Sequence, residues 1–388
     1  MKKETKLIRT QSKRSGNKEH SVPLYLTSSF MFDNAEHARS LFSDETEGNI
    51  YSRYSNPNTD EFISKMVALE NTEDGFAFSS GMAAVFAGFA ALLKAGDHIL
   101  ATRALFGSSY QILTNILPKW GIESTFIDSN SEDSWENDIR ENTKMLFVES
   151  PSNPGLDIVD LEKSGALCKK YGLIFHVDNC FATPILQTPA DFGADLISHS
   201  ATKYIDGQGR VLGGVLVGKN NLINEIRYFA RHTGPALSPF NAWLLSKSLE
   251  TLPLRMEKHC SNAIILAEKL TENSEILSVK YPFLNSHPKY ELAKNQMKFG
   301  GGIVTIEIRG DLGRINRFID ALELISRSSN LGDTRTIITH PASTTHSKLT
   351  ENERSLVNIT DQTIRISVGL EDVDDIYQDI NNSLLKSK

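Results

Sequence analysis

Short apolar runs alternate with longer stretches in which apolar residues recur every three or four positions. The short runs predict buried strands, and the longer stretches predict amphipathic helices. The predicted strands are residues 75–78, 98–101, 124–127, 144–148, 174–177, 196–198 and 211–217. The predicted helices between them include residues 60–69, 79–94, 108–119 and 161–171. This alternation indicates an α/β fold with a mainly parallel sheet that is covered on both faces.

The pattern changes after residue 218, where helices dominate. Helices are predicted at residues 239–250, 254–271, 312–324 and 372–385, with Pro253 between the first two, and strands at residues 302–308 and 363–368. This mixture favours a smaller C-terminal α+β domain. Residues 1–60 show no clean period and predict an arm without its own core. Because 388 residues exceed one core, we expect an arm at 1–60, a large domain at 61–245 and a C-terminal domain at 246–388.

Composition narrows the class of protein. A net charge of −7 argues against a nucleic-acid surface, which needs a basic patch. No apolar run reaches membrane-spanning length, and the first residues lack the apolar core of a signal peptide. Cys168, Cys180 and Cys260 are isolated cysteines that suggest neither a disulfide framework nor a metal site. We therefore expect a cytoplasmic protein without a metal, a membrane partner or a nucleic-acid partner.

Polar residues follow several of the predicted strands. Ser80 follows residues 75–78, Asp178 follows 174–177, and Lys203 comes just after 196–198. Ligands of parallel sheets bind beyond the carboxyl ends of the strands. An amine that can form a Schiff base, hydroxyls that can hold a phosphate and a carboxylate that can hold a pyridinium nitrogen are the groups that a pyridoxal phosphate (PLP) site needs. The sequence predicts such a site around Lys203.

Each of these residues also has an ordinary structural explanation. Ser80 could simply cap a helix, Asp178 could be a loop carboxylate, and Asn153 could be a turn residue. A single lysine such as Lys203 is usually a surface residue. Arg365, on a predicted strand, is either an edge-strand charge or a fork for a substrate carboxylate. The residues taken singly leave these alternatives open.

Taken together and in order, the motifs resemble the Cys/Met-metabolism family of PLP enzymes, which has the type I aminotransferase fold. The segments that carry the resemblance are Tyr51-Ser-Arg53, Ser79-Ser-Gly-Met-Ala83, Pro151-Ser-Asn-Pro154, Val177-Asp-Asn179, Ser200-Ala-Thr-Lys203, Gly213-Gly214, His340-Pro-Ala342 with Thr345-His346, and Arg365-Ile-Ser-Val-Gly-Leu-Glu371. They span nearly the whole chain.

The resemblance implies a role for each matching residue. Lys203 would bind PLP covalently and act as the catalytic base, and Arg365 would bind the substrate carboxylate, with Asn330 also on the substrate side. The remaining implied cofactor contacts within the chain are Ser80, Gly81, Met82, Phe106, Asn153, Asp178, Ser200 and Thr202. Tyr51 and Arg53 would reach the phosphate of a neighbouring chain. The implied assembly is a homo-oligomer, a tetramer built from dimers that share sites.

Departures from the family pattern narrow the implied reaction. Phe106 stands where many members have a tyrosine over the ring. Two other motifs common in the family are also replaced, one by Asn330-Leu-Gly-Asp333 with Arg335 and the other by Gly207-Gln-Gly-Arg210. These variants resemble the O-succinylhomoserine sulfhydrylase branch. The implied activity is replacement of the acyl group of an O-acylhomoserine, expected to be the succinyl ester, by sulfide to give homocysteine.

Other functions remain open at this stage. Within the family, they are cystathionine γ-synthase, O-acetylhomoserine sulfhydrylase and γ-lyase activities. Outside catalysis, the chain could be a non-catalytic scaffold with the PLP fold. A nucleotide-binding protein is disfavoured because neither a dinucleotide-binding glycine motif nor a P-loop is present.

Overall fold

The protein is described from a computed structural model, which covers residues 1–129 and 131–388. Within them, two sheets form. The larger sheet contains β1 (Asp74–Phe78), β2 (His98–Thr102), β3 (Glu123–Ile127), β4 (Thr143–Glu149), β5 (Ile174–Asp178), β6 (Leu196–Ser200) and β7 (Gly214–Gly218). The smaller sheet contains β8 (Ile276–Lys280), β9 (Ile303–Ile308), β10 (Ser326–Arg327), β11 (Ile337–Thr339) and β12 (Thr363–Ser367).

The helices divide between the two sheets and the N-terminal region. They are α1 (Lys3–Arg9), α2 (Ala35–Phe42), α3 (Pro57–Glu70), α4 (Gly81–Ala90), α5 (Gly107–Gln111), α6 (Leu161–Tyr171), α7 (Thr183–Leu186), α8 (Asn220–Thr233), α9 (Pro239–Leu249), α10 (Leu252–Thr271), α11 (Tyr290–Gln296), α12 (Leu312–Ala321), α13 (Glu351–Ser355) and α14 (Val373–Lys386). Short π- and 3-10-helical turns lie between some of them.

The larger sheet has the strand order β1-β7-β6-β5-β4-β2-β3. β2 to β6 pair in parallel, whereas β7 runs antiparallel to both of its neighbours, β1 and β6. Apolar residues from both faces of this sheet are buried: Val177 packs in the core that contains α3, and Phe147 packs in the core that contains α4. Because the parallel strands end at one edge, the residues that follow β4, β5 and β6 meet there.

The smaller sheet has the order β10-β11-β12-β9-β8 and its own hydrophobic core, to which α10, α12 and α14 contribute. α9 packs on α3 of the larger unit, and α10 lines both cores, through Met256 on one side and Leu266 on the other. The predicted type I architecture, a mainly parallel sheet with a smaller C-terminal α+β unit, is confirmed.

Several predicted element bounds were wrong. Residues 108–119 form no single α-helix, because α5 ends at Gln111 and gives way to a π-helical turn, Ile112–Ile116, and a 3-10 turn, Leu117–Trp120. Pro253 lies inside the first turn of α10, where the missing N–H costs no helical hydrogen bond. In addition, β7 begins only at Gly214, and α4 ends at Ala90.

No helix in residues 1–129 and 131–388 combines the length and apolar character needed to cross a membrane.

Candidate active site

A cavity of about 580 Å³ lies at the carboxyl edge of β4, β5 and β6 and is closed on one side by the smaller sheet. Its size falls in the range of small-molecule sites. The predicted residues that line it are Ser80, Gly81, Met82, Phe106, Asn153, Asp178, Ser200, Thr202, Lys203 and Arg365. Other lining residues are Val85, Glu149, Cys180, Phe181, Leu212, Ser329, Leu331, Thr344 and Thr345. The fold therefore brings together residues that lie far apart in the sequence.

One end of the cavity is the turn between β1 and α4. The Ser80 side chain caps the helix by accepting from Ala83 N at 3.1 Å. Gly81 is in close contact with the end of β6, since a Cβ at this position would lie 2.5 Å from Ser200 Cβ. Gly214 is equally constrained, because a Cβ there would lie 2.1 Å from Ser80 O. A helix N-terminus beside a serine hydroxyl is suited to an anion such as phosphate.

Lys203 follows β6 and turns its amine into the cavity. Its Nζ donates to Asn330 Oδ1 at 2.6 Å. Burial lowers the pKa of the Lys203 amine, and the nearby Arg365 charge acts in the same direction. A lowered amine pKa increases the fraction of the free base, which is the form that acts as a nucleophile or accepts a proton.

Asp178 ends β5 and places its carboxylate in the same cavity. Its Oδ1 accepts from Cys180 N at 3.0 Å. Burial raises the pKa of Asp178 to about 6, so the group is mainly ionised at neutral pH. Among the residues that the structure describes, no lysine or arginine forms an ion pair with it. A buried carboxylate without a basic partner is costly unless a ligand supplies the opposite charge.

Arg365 is fully buried on β12 and reaches the cavity from the smaller sheet. Its guanidinium donates to Asn153 Oδ1 at 3.1 Å, to the Ser329 and Asn330 carbonyl oxygens and to Thr339 Oγ1. All of these acceptors are neutral, and the Arg365 Nε has no acceptor among residues 1–129 and 131–388. Burial lowers the pKa of Arg365 to about 10, which leaves it charged at neutral pH. The guanidinium is thus suited to a carboxylate ligand.

Glu149 was not predicted as a site residue, although it ends β4 in the cavity. Its Oε2 accepts from Phe106 N at 2.8 Å and so fixes the loop that carries the Phe106 ring. The sequence signal that could have found it is its position at the end of a buried strand, the same position that marked Asp178. Cys180 also lines the cavity, but burial raises the pKa of its thiol and keeps it protonated.

Three predicted cofactor-binding residues contact other parts of the protein instead of pointing only into the cavity. The Thr202 hydroxyl is shared with the Gly213 backbone, accepting from its N at 3.1 Å. Tyr51 and Arg53 lie outside the cavity, in the N-terminal region, where the Arg53 guanidinium donates to the Arg231 carbonyl oxygen and stacks 4.9 Å from the Tyr54 ring. Their expected contact with a neighbouring chain stays a prediction.

A fold with a mainly parallel sheet, and a cavity that combines a half-buried lysine, a half-buried aspartate and an anion-binding turn, define a PLP-dependent enzyme of the type I class. The family described as Cys/Met metabolism PLP-dependent enzyme matches residues 4–385. The chain belongs to this family.

Individual relatives are similar over almost their whole length. The chain is 42% identical to the O-succinylhomoserine sulfhydrylase of Pseudomonas aeruginosa, covering 98% of this chain and 94% of that protein. It is 40% identical to an L-methionine γ-lyase of Fusobacterium nucleatum, covering 94% and 93%. The crystal structure of a putative O-acetylhomoserine (thiol)-lyase from Campylobacter jejuni, which carries N'-pyridoxyl-lysine-5'-monophosphate at position 205, superimposes with a TM-score of 0.96 at 35% identity, covering 99% of this chain and 100% of that one.

The residues of this chain fit PLP, the cofactor of the family. Only a glycine at position 81 lets the start of α4, whose N-terminus suits a phosphate, lie directly against Ser200, because a Cβ there would clash with Ser200. The unpaired carboxylate of Asp178 meets the requirement for an anion beside a protonated ring nitrogen. The amine of Lys203 lies in the same cavity, as covalent attachment requires.

Proposed function

We propose that this chain replaces the acyl group of O-succinylhomoserine by sulfide and thereby forms homocysteine and succinate. The observation that carries the proposal is the single cavity in which the Lys203 amine, the Asp178 carboxylate and the buried Arg365 charge face one space. The similarity to an O-succinylhomoserine sulfhydrylase over nearly the whole chain supports this choice of substrate.

PLP, when bound, supplies a conjugated ring that accepts the electrons released at the substrate Cα. Arg365 binds the α-carboxylate through its guanidinium and fixes the amino acid at the side of the smaller sheet. Lys203 removes the Cα proton as a general base, and Asn330, which accepts from its Nζ at 2.6 Å, positions that amine. A proton then leaves Cβ as the Cγ–O bond to the acyl group breaks and succinate departs. Hydrosulfide forms the Cγ–S bond, and protons return to Cβ and Cα, which gives homocysteine. Phe106 lines the cavity and would pack against the cofactor ring, but it has no hydroxyl for proton transfer.

The assembly and the division into domains belong to the same proposal. Tyr51 and Arg53 of one chain would reach the phosphate in the cavity of a second chain, and two such dimers would form a tetramer in the cytoplasm. This arrangement is consistent with an arm, residues 1–60, whose Tyr51 and Met31 side chains remain exposed in the single chain. The large domain at 61–245 and the C-terminal domain at 246–388 would then face each other across the cavity.

An assay of esters against nucleophiles tests the proposed reaction. The purified protein is supplied with O-succinyl- or O-acetylhomoserine, each with sulfide, with cysteine or with no nucleophile, and the products are identified. We expect sulfide-dependent homocysteine formation, faster from the succinyl ester. Preference for the acetyl ester, or cystathionine formed from cysteine, would move the chain to another branch of the family. Absence of any product in the PLP-loaded protein would contradict the proposal.

Elimination is the second candidate, because the chain is 40% identical to an L-methionine γ-lyase. The same active-site groups can expel a γ-substituent without adding a nucleophile, which releases a 2-oxo acid and ammonia. Supplying methionine alone separates the two activities. Rapid release of a 2-oxo acid from methionine would favour a lyase, whereas the proposed replacement activity predicts little turnover without sulfide.

A further inference from the structure

Two carboxyl groups lie side by side at the edge of the larger sheet. Glu149 and Asp178 are the last residues of β4 and β5, and they are direct partners in the register of this parallel pair. Neighbouring strands lie about 4.8 Å apart, and partners in register point to the same face. Both residues line the PLP cavity. The sheet therefore holds two acidic groups close together at the wall of the cavity, where Glu149 is buried and Asp178 is half-buried.

Neither carboxyl group forms an ion pair with a lysine or arginine within residues 1–129 and 131–388, and the only basic side chain whose charge acts on Asp178 in this part of the chain is His199. Glu149 is only 5% exposed, and its hydrogen-bond donors are the backbone N–H groups of Phe106 and Asn153. Asp178 accepts from the Cys180 N–H. Two adjacent carboxylates without a lysine or arginine partner repel each other and lose part of their hydration, so the form in which one of them carries a proton is favoured.

The other titratable groups around the pair do not remove this conflict. Lys203 and Arg365 reach the cavity from the end of β6 and from β12, but their nitrogen atoms donate to other acceptors. On β6, His199 is held by Glu70, with 2.6 Å between Nε2 and Oε1. Cys180 keeps its proton because burial raises the pKa of its thiol. The repulsion within the pair is therefore relieved when one of the two carboxylates binds a proton.

The pKa values of Glu149 and Asp178 are raised to different extents. Burial, followed by repulsion from Asp178, raises the pKa of Glu149 well above its ordinary value. Burial raises the pKa of Asp178 only to about 6. Glu149 is also the more buried of the two, at 5% exposed, whereas Asp178 is half-buried, and the nearby charge of His199 lowers the pKa of Asp178. The proton shared by the pair at neutral pH therefore belongs mainly on Glu149.

We propose that Glu149 is a neutral carboxylic acid at neutral pH, so that the Glu149–Asp178 pair presents one negative charge to the one positive charge of a protonated PLP ring. Glu149 is then a positioning residue: it holds the loop of Phe106 through the Phe106 N–H while leaving Asp178 as the counter-ion of the ring nitrogen. The inference concerns cofactor binding, and it holds for replacement and elimination alike.

Infrared difference spectroscopy on the PLP-loaded protein tests the protonation state directly. The spectrum of the wild type minus that of Glu149→Gln should show the C=O stretch of a protonated carboxyl at pH 7. Raising the pH should remove this band as Glu149 ionises. Absence of the band at pH 7, with a carboxylate band in its place, would overturn the proposal. So would assignment of the band to Asp178, that is, its loss in Asp178→Asn and its retention in Glu149→Gln.

Cofactor retention supplies an independent readout. Glu149→Gln replaces a neutral acid by a neutral amide that can still accept from Phe106 N, so we expect PLP dissociation to change by less than about threefold at pH 7. Glu149→Ala removes that acceptor and should speed dissociation about tenfold, because the buried Phe106 N–H is left without a partner. The exposed Glu123 provides a matched control, Glu123→Gln, which should match the wild type.

The two variants separate charge from hydrogen bonding. If Glu149→Gln loses PLP as fast as Glu149→Ala at pH 7, the negative charge of Glu149 is required and the proposal is wrong. If both variants retain PLP like the wild type, Glu149 does not position Phe106 for the cofactor, and that part of the proposal fails. Circular dichroism of each variant distinguishes either result from unfolding.

Discussion

The amine of Lys203 is held in place by Asn330 and is deprived of water by the walls of the cavity. The sequence indicated Lys203 through its combination with nearby hydroxyl residues and Asp178 and through the family resemblance, but it could not show that Asn330 Oδ1 accepts from its amine. That contact joins residues 127 positions apart and depends on how the smaller sheet meets the larger one. Contacts of this kind arise from packing between units and carry no local pattern.

Replacing Lys203 by alanine should abolish the reaction. We expect Lys203→Ala to lose the visible absorbance of covalently bound cofactor and to reduce turnover at least about 10⁴-fold, because both the nucleophile and the base are removed. Absorption spectra and homocysteine assays measure these effects. Lys163→Ala is the matched control, because Lys163 lies on the surface in an ion pair with Asp133. Turnover that survives in Lys203→Ala would refute the assignment.

A second prediction for a single residue concerns the proposed binding of the substrate carboxylate by Arg365. Arg365→Lys keeps a positive charge but loses the planar fork, so kcat/KM should fall about 100-fold, mainly through a higher KM. Steady-state kinetics over a range of substrate concentrations measure the two parameters. Arg335→Ala serves as the control, since Arg335 is largely exposed and pairs with Asp333. An unchanged KM in Arg365→Lys would remove Arg365 from substrate binding.

At the scale of elements, the pattern of apolar residues located each of the strands β1 to β7 of the larger sheet but missed some bounds. The stretch 108–119 has a helical period, yet α5 gives way to a π-helical turn after Gln111. Hydrophobic period alone does not distinguish an i→i+4 from an i→i+5 hydrogen bond. The short strands β10 and β11 of the smaller sheet were also missed, because two or three residues are too few to show alternation.

The capping box that begins α3 anchors the arm as well as the helix. Asn56 Oδ1 accepts from Asn58 N at 2.9 Å, and its Nδ2 donates to Tyr25 O and Ser52 Oγ. We expect Asn56→Ala to lower the free energy of unfolding by about 2–3 kcal/mol, because it loses both the cap and buried hydrogen bonds. Urea unfolding measures the change.

The same motif at α13 provides the comparison. Thr350 forms a capping box with Glu353 on the surface, so Thr350→Ala should cost only about 1 kcal/mol. Equal losses in Asn56→Ala and Thr350→Ala would mean that the contacts between Asn56 and the arm add nothing to stability.

At the scale of the whole molecule, the proposed sharing of sites makes a quantitative prediction. Arg53→Ala and Lys203→Ala would each inactivate both sites of a homodimer. In a mixed dimer, however, one of the two sites combines the unchanged Lys203 of one chain with the unchanged Arg53 of the other, so that one site is intact. Random reassembly of equal amounts should therefore restore about a quarter of wild-type sites. Homocysteine formation after unfolding and refolding the mixture measures this recovery. If no activity returns although mixed dimers form, the two residues do not act in a shared site.

The buried guanidinium of Arg365 contacts only neutral oxygens in the part of the chain that the structure describes. If it binds the substrate carboxylate as proposed, a decarboxylated amine of the same size would leave this dehydrated cation without an anionic partner. Biogenic amines would then be disfavoured by an electrostatic penalty, without any steric barrier.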